Sequence, residues 1–325
     1  MTMMERNVPG SVTRPRDMVL TEIRLEAESV ISLAFQVPER LDLSEWAPGA
    51  HIEITLPSGK IRQYSLCGDP HDRKTYRVAV LRVPDGRGGS AEVHDALRVG
   101  ARYSIRGPRN HFQLLPAATY FFIAGGIGVT PILPMIGAMQ DGRDWRALYC
   151  GRTRESMAFV NALEGQEHVR IVSDDRDGRP DLGAEIAACA PGTHIYCCGP
   201  SGLIDAVTSA TAGRDDIALF TERFGPVAPV ADPETGKQAV ELRLARSQLT
   251  VMMQPGESVL QAVLRVKPDM PYSCESGFCG TCETAIIEGD VEHRDQLHSE
   301  AERDANRTMM ICVSRPSSSR LVLDL

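Results

Sequence analysis

Cys274, Cys279, Cys282 and Cys312 are four of nine cysteines, spaced C-x4-C-x2-C with the fourth thirty residues on. This is the plant-type spacing that holds a [2Fe–2S] cluster on thiolates. A short loop can offer three sulfurs to one small cluster, and the fourth must come from a distant segment. Ser276, Gly277, Gly280 and Thr281 are small enough for the loop backbone to approach closely and turn amides toward sulfur. The rival chemistry is a structural zinc ion, since Cys279 and Cys282 form a CxxC by themselves. Zinc sites usually pair two such dicysteines. Here the fourth cysteine stands alone, which favours the cluster.

Other stretches carry residues suited to phosphorylated or planar ligands. Arg62, Tyr64 and Ser65, with Leu66 after them, stand at alternate or adjacent positions of a strand and can meet one planar anion together. Arginine holds phosphate, tyrosine packs on a ring and serine donates a hydrogen bond; an ordinary surface strand would look the same. Gly86-Arg87-Gly88-Gly89-Ser90 precedes a helix expected over 91–97 and would set amides, a hydroxyl and a guanidinium at its N-terminus. That is phosphate-binding chemistry, although a plain glycine-rich hairpin loop also fits. Gly125-Gly126-Ile127-Gly128-Val129-Thr130-Pro131 joins an apolar strand to an apolar-periodic helix, a pyrophosphate turn by the physics of dinucleotide folds. Thr130 is the expected N-cap and Pro131 the first helical residue. Cys198 stands before Gly199-Pro200 at the carboxyl end of a strand, where parallel sheets bind ligands. A small buried residue would also suit that place. Cys67, Cys150 and Cys189 read as packing residues, and Cys197 is given no role.

The elements that must position these groups change character along the chain. Short alternating runs at 30–35, 51–56, 76–83 and 101–105, broken by Pro and Gly, predict a small antiparallel barrel. From 119 an apolar strand, then strands at 147–150, 168–172 and 193–196 separated by helices, predict a parallel α/β sheet. Three prolines between 225 and 236 read as a semi-rigid linker. A hairpin at 240–244 and 249–253 and a helix at 258–266 follow, before the cysteine loop. The net charge of −8 argues against a nucleic-acid partner. No run approaches a membrane span, and residues 1–10 lack the apolar core of a signal peptide. Nine cysteines without a secretion signal point to the reducing cytoplasm and to metal ligation. The acidic run from Glu288 to Asp304 reads equally as a solvated face or a docking surface.

Pro271-Tyr-Ser-Cys274 through Gly280-Thr-Cys282, with Met310-Ile-Cys312-Val-Ser-Arg315, resembles the ferredoxin domain of the phthalate dioxygenase reductase family. R-x-Y-S-L, G-R-G-G-S and Gly107-Pro108-Arg-Asn-His-Phe112 resemble its flavin domain, and G-G-x-G-x-T-P its nicotinamide domain. The resemblance implies FMN, NADH and the [2Fe–2S] cluster in one chain, feeding a terminal Rieske-type oxygenase or O-demethylase. It implies a multidomain fold with an FMN-binding antiparallel β-barrel at 1–114 and an NAD-binding α/β parallel sheet at 115–226. A linker at 227–237 and an α+β, β-grasp ferredoxin domain at 238–325 complete it. It places Arg62 and Arg87 on the flavin phosphate, Tyr64 against the isoalloxazine and Ser65 at its reactive edge. Gly88, Gly89 and Ser90 belong to the flavin loop; Gly125, Gly126, Gly128, Thr130 and Pro131 to the nucleotide turn. Cys198, with Gly199 and Pro200, is set beside the nicotinamide. Phe220-Thr-Glu222-Arg-Phe224 resembles the closing segment, so Glu222 and Phe224 are carried over; the family commonly has histidine where Thr221 stands. A cytoplasmic monomer with an oxygenase partner is expected. The alternatives are an FAD-containing reductase for a P450 or diiron oxygenase, and a non-enzymatic electron carrier.

Overall fold

The computed structural model describes residues 15–39, 41–84, 86, 88–139, 143–224, 240–272, 275, 277, 280–295 and 297–325. The described residues divide into two compact units, one of 1–198 with 210–221 and one of 199–209 with 222–325. The expected linker, 227–237, lies outside the described residues.

The first unit holds two sheets. β1 (Arg16–Ala27), β2 (Val30–Gln36), β3 (Ala50–Thr55), β4 (Ile61–Ser65), β5 (Tyr76–Leu81) and β6 (Arg102–Asn110) form an antiparallel sheet ordered β4-β3-β6-β1-β2-β5. Its two edges meet where Leu66 bridges Val78 and the Cys67 amide donates to the Arg77 carbonyl at 2.9 Å. This bridge brings the two edge strands together at one point, which makes the sheet barrel-like. Period-2 alternation turns Leu33, Phe35, Ile52, Ile54 and Val78 inward to one core. Helix α1 (Gly89–Ala96) follows β5. β1 went unseen in the sequence, because apart from Met18 and Leu20 most of its side chains are polar or exposed.

β7 (Thr119–Gly125), β8 (Asp144–Gly151), β9 (Val169–Ser173), β10 (Thr193–Cys198) and β11 (Ala218–Glu222) form the second sheet, ordered β11-β10-β7-β8-β9. It is parallel from β10 through β9. β7 is buried nearly throughout, as its continuous apolar run requires in a sheet covered on both faces. Helix α2 (Val129–Gly137) lies against β7 and β10. It starts earlier than expected. A 3-10 turn at Gly126–Gly128 leads straight into it, so Gly128 is the N-cap and Thr130 already lies in the first helical turn. The Thr130 hydroxyl donates instead to the Ile127 carbonyl at 3.0 Å. Shorter helices α3 (Val160–Leu163), α4 (Asp174–Asp177) and α5 (Leu182–Ala187) connect the later strands; α6 (Ser201–Thr211) follows β10. The two sheets share an apolar seam in which Val30, Cys67 and Ala79 pack with Ala158, Ile127 and Phe159.

In the second unit β12 (Glu241–Leu244), β13 (Leu249–Met252), β14 (Glu283–Glu288), β15 (Val291–Glu292), β16 (Thr308–Met310), β17 (Arg315–Pro316) and β18 (Arg320–Leu323) frame α7 (Val259–Val266) and α8 (Glu300–Ala305). The main sheet runs β13-β12-β18-β14-β16, with β12 and β18 parallel, and β15 pairs β17 separately. A capping box between Ser258 and Gln261 starts α7 at the residue expected. Its Val259, Leu260 and Val263 join Leu242, Leu244, Met309, Leu321 and Leu323 in one core.

Candidate flavin, nucleotide and iron–sulfur sites

Arg62 lies across the start of α1. A Cβ built on Gly89 would stand 2.2 Å from Arg62 Nε and 2.9 Å from its Cδ and Cγ, so only glycine leaves room for the guanidinium there. Gly88, the α1 N-cap, has φ 77°, a left-handed value that suits glycine. Its Cβ would lie 3.4 Å from Lys60 Nζ. Two cations thus meet the positive end of a helix, an arrangement that binds phosphate. Lys60 was missed in the sequence, although it stands two residues before Arg62 and strand alternation could have found it. Glu92 in the first turn of α1 accepts from the Ser58 amide at 2.7 Å and the Ser58 hydroxyl at 2.6 Å. Burial pushes its carboxyl up, but those bonds and Lys60 outweigh it and hold the group below its ordinary value. The Ser90 hydroxyl accepts from the Val83 amide at 3.0 Å and ties the two ends of the glycine loop. Arg87 lies outside the described residues.

Tyr64 is half-buried against the barrel core, and burial pushes its hydroxyl pKa up, so the ring is a neutral platform. Ser65 ends β4, buried, opposite His51. Burial brings the His51 imidazole down to about 3, so it is neutral. Leu66 is fully buried in the edge bridge and Cys67 enters the seam beside Ile127. Cys67, two residues past Ser65, and Ile127, in the middle of G-G-I-G, thus belong to one apolar cluster.

In that turn Gly125 ends β7 opposite Cys150, and Gly126 has φ 53°. Thr130 and Pro131 are buried in the first turn of α2. Parallel pairing sets Cys198 opposite Ala124, so the glycine turn and the Cys-Gly-Pro turn leave neighbouring strand ends. Cys198 is fully buried. Gly199, Pro200, Glu222 and Phe224 belong to the second unit. Phe224 is 39% exposed. Cys67, Cys150 and Cys189 are buried as expected of packing residues. Burial pushes the Cys67 thiol up to about 12 and that of Cys150 up to about 11, which leaves both unreactive.

Cys282 and Cys312 are buried at one end of the β14–β16 pair. Glu283 pairs with Met310, and the Ile311 amide reaches the Cys282 carbonyl at 3.5 Å. Cys274 and Cys279 lie outside the described residues. The described parts of their loop fit a thiolate-bound cluster. Glu275, Gly277 and Gly280 all take left-handed φ values, 53°, 73° and 74°, which coil the chain tightly. A Cβ on Gly277 would meet Val313 Cγ2 at 2.6 Å and Asp295 Cα at 3.0 Å, so the loop backbone presses on the segment carrying Cys312. The sequence also hid a neighbouring trio, His293, Asp295 and His298, inside a charged run. Burial pushes the Asp295 carboxyl up, but the amide and ring of His298 outweigh it and hold the group below its ordinary value.

A barrel-like sheet with a phosphate site, a parallel sheet with a glycine turn and a four-cysteine unit define a flavin- and nucleotide-dependent iron–sulfur oxidoreductase. Comparison with known proteins agrees. Residues 17–114 match the oxidoreductase FAD-binding domain and residues 242–317 the 2Fe-2S iron-sulfur cluster binding domain. The chain is 39% identical over 315 residues to phenoxybenzoate dioxygenase subunit beta of Ectopseudomonas oleovorans, covering 96% of this chain and 98% of that protein. The crystal structure of phthalate dioxygenase reductase, with a modular structure for electron transfer from pyridine nucleotides to [2Fe-2S], matches with TM-score 0.69 and 32% identity. That match covers 96% of this chain and 98% of that one. A type IV self-sufficient cytochrome P450 monooxygenase matches with TM-score 0.85 and 38% identity over 98% of this chain, which spans only 43% of that one. The chain belongs to the phthalate dioxygenase reductase family. It is an NADH-dependent oxidoreductase, the reductase component of an oxygenase system, with flavin-binding and [2Fe–2S] domains.

Proposed function

We propose that the chain takes electrons from NADH onto FMN, passes them to the cluster and delivers them to a terminal Rieske-type oxygenase or O-demethylase. The observation that supports this most is the apolar cluster that Cys67, two residues past Ser65, shares with Ile127 of the glycine turn, because hydride transfer needs the two rings brought together. When bound, the flavin supplies hydride chemistry and splits an electron pair into single electrons for the cluster. Arg62, Arg87, Lys60 and the α1 amides at Gly88, Gly89 and Ser90 hold its phosphate. Tyr64 packs on the isoalloxazine, and Ser65 hydrogen-bonds its reactive edge. Gly125, Gly126, Gly128, Thr130 and Pro131 cradle the nucleotide pyrophosphate, and Cys198, Gly199 and Pro200 seat the nicotinamide. Glu222 and Phe224 belong to the segment that closes the nicotinamide domain. Cys274, Cys279, Cys282 and Cys312 hold the cluster. In this reading an antiparallel β-barrel fills 1–114, an α/β nicotinamide domain 115–226 and a β-grasp ferredoxin 238–325, after the linker at 227–237. The protein works as a cytoplasmic monomer. The released flavin should have the mass of FMN; the mass of FAD would refute that part.

NADH should exceed NADPH in kcat/KM by at least about tenfold. Arg154, which follows β8 where a ribose 2′-phosphate would be met, is held in an ion pair by Glu164. Glu164→Gln should therefore raise kcat/KM for NADPH and leave that for NADH nearly unchanged. An unaltered ratio would remove Arg154 from coenzyme choice. The likeness to the P450 chain carries a second reading, a haem monooxygenase as partner. Coupled turnover with purified Rieske-type and P450 acceptors separates the two.

A further inference from the structure

His293, Asp295 and His298 follow β15 and offer one donor atom each, all within 4.8 Å of one another. Their side chains are 5%, 0% and 7% exposed. Asp295 Oδ2 accepts from the Leu297 amide at 3.1 Å and the His298 amide at 2.8 Å. Its other oxygen, Oδ1, faces two imidazoles. His298 Nδ1 lies 3.1 Å from Oδ1, and His293 Nδ1 lies 3.7 Å from it.

A chain of hydrogen bonds fixes which nitrogen of His298 carries its proton. The Thr308 hydroxyl donates to Glu283 Oε1 at 2.8 Å, so it must accept from His298 Nε2 at 2.9 Å. The Nδ1 lone pair of a neutral ring then points at a carboxylate lone pair, and only a cation between them makes the contact favourable. A proton on His298 would satisfy that pair alone. It would leave His293, whose two ring nitrogens are buried without a hydrogen-bond partner among the described residues. One divalent ion answers all three groups at once.

We propose that His293, Asp295 and His298 hold a divalent transition-metal ion of the zinc class, separate from the cysteine ligands. Two imidazoles and one carboxylate are a donor set for first-row divalent metals, bound at about 2.0–2.2 Å. Donors grouped this closely reach one ion by ring rotation. The second partner that orients a metal-bound imidazole is already present in Thr308. The ion would fasten Asp295 in place, and the Asp295 backbone is what Gly277 of the cysteine loop packs on. The role is structural, a staple behind the cluster loop, and it is independent of the electron route.

The test uses the full chain with its iron–sulfur chromophore intact, treated with chelator and then titrated with Co2+. The expected result is uptake of about one Co2+ per chain, with visible d–d bands and without thiolate-to-cobalt charge transfer, reversed by added Zn2+. His293→Ala should weaken uptake by more than the about 10–100-fold that loss of an outer partner costs. It breaks no side-chain hydrogen bond among the described residues, so the chain should fold and keep its cluster absorbance. His293→Gln, which keeps the volume, should weaken uptake too. No uptake by the native chain, equal uptake by both variants, or charge transfer showing cobalt on cysteine would each overturn the proposal. Iron and sulfide content, measured alongside, reports on the cluster separately.

Discussion

Replacing Cys312 with Ala should leave NADH bleaching the flavin at nearly the native rate, while transfer to the partner oxygenase falls by at least about 100-fold. Cys312 lies at a junction between the end of the cysteine loop and the C-terminal strands. It is buried just past β16, and Ile311 beside it meets the Cys282 carbonyl. Losing that ligand removes the cluster or its potential, since thiolate number and surroundings set both. The residues proposed to hold the flavin phosphate and to form the glycine turn belong to the first unit, and Cys312 belongs to the second. Stopped-flow absorbance at the flavin band follows the first half-reaction, and coupled oxygenase turnover the second. A chain ending at Gly236 should behave alike. If the shortened protein drives the oxygenase at full rate, electrons leave from the flavin directly and the cluster is not the exit.

Motifs whose chemistry depends on contiguous residue types were legible in the sequence. R-x-Y-S and G-G-x-G each lie on one strand or turn, and their elements appear where periodicity places them, whereas half of C-x4-C-x2-C with Cys312 lies outside the described residues. β7 was visible as an unbroken apolar run because both faces are covered. β1 was not, because a barrel strand with a wet outer face and acidic and basic side chains alternating along it shows only Met18 and Leu20 inward. The start of α2 was misplaced for a local reason. Thr130 has the chemistry of an N-cap, but Gly126 takes a left-handed φ and a 3-10 turn leads in, so the α-helix begins two residues sooner, at Val129. Contacts made across sequence distance were beyond reach. Nothing in the spacing shows that Gly89 exists to receive Arg62, or that Gly277 rests on Asp295. The His293–Asp295–His298 trio was hidden in a charged run because burial, not composition, distinguishes it from a solvated face.

Gly89→Ala should weaken flavin binding about as much as Arg62→Ala does, while leaving the fold as stable or slightly more so. The two effects have opposite signs for a physical reason. Gly89 is the first residue of α1 and is not among the glycines of positive φ, so alanine suits its backbone and restricts the unfolded chain, a gain of about 0.4–1 kcal/mol. Its new methyl group would nevertheless stand 2.2 Å from Arg62 Nε. That atom belongs to a flexible side chain, so Arg62 swings away and the backbone stays put. The guanidinium then leaves the helix N-terminus, and a charge-assisted contact worth about 1.5–3 kcal/mol is lost. Flavin affinity should fall by about 10–150-fold. Gly100→Ala is the control, because Gly100 has φ 88° with open space around it. It should lower stability through backbone strain and leave flavin affinity unchanged. Fluorescence titration of the stripped protein with FMN reads affinity, and thermal unfolding of that same flavin-free form reads stability. A Gly89→Ala protein that binds flavin natively would show that Arg62 does not hold the phosphate from this position. Lost affinity with a lower melting temperature would mean instead that the methyl group disturbs the α1 backbone and not the arginine alone.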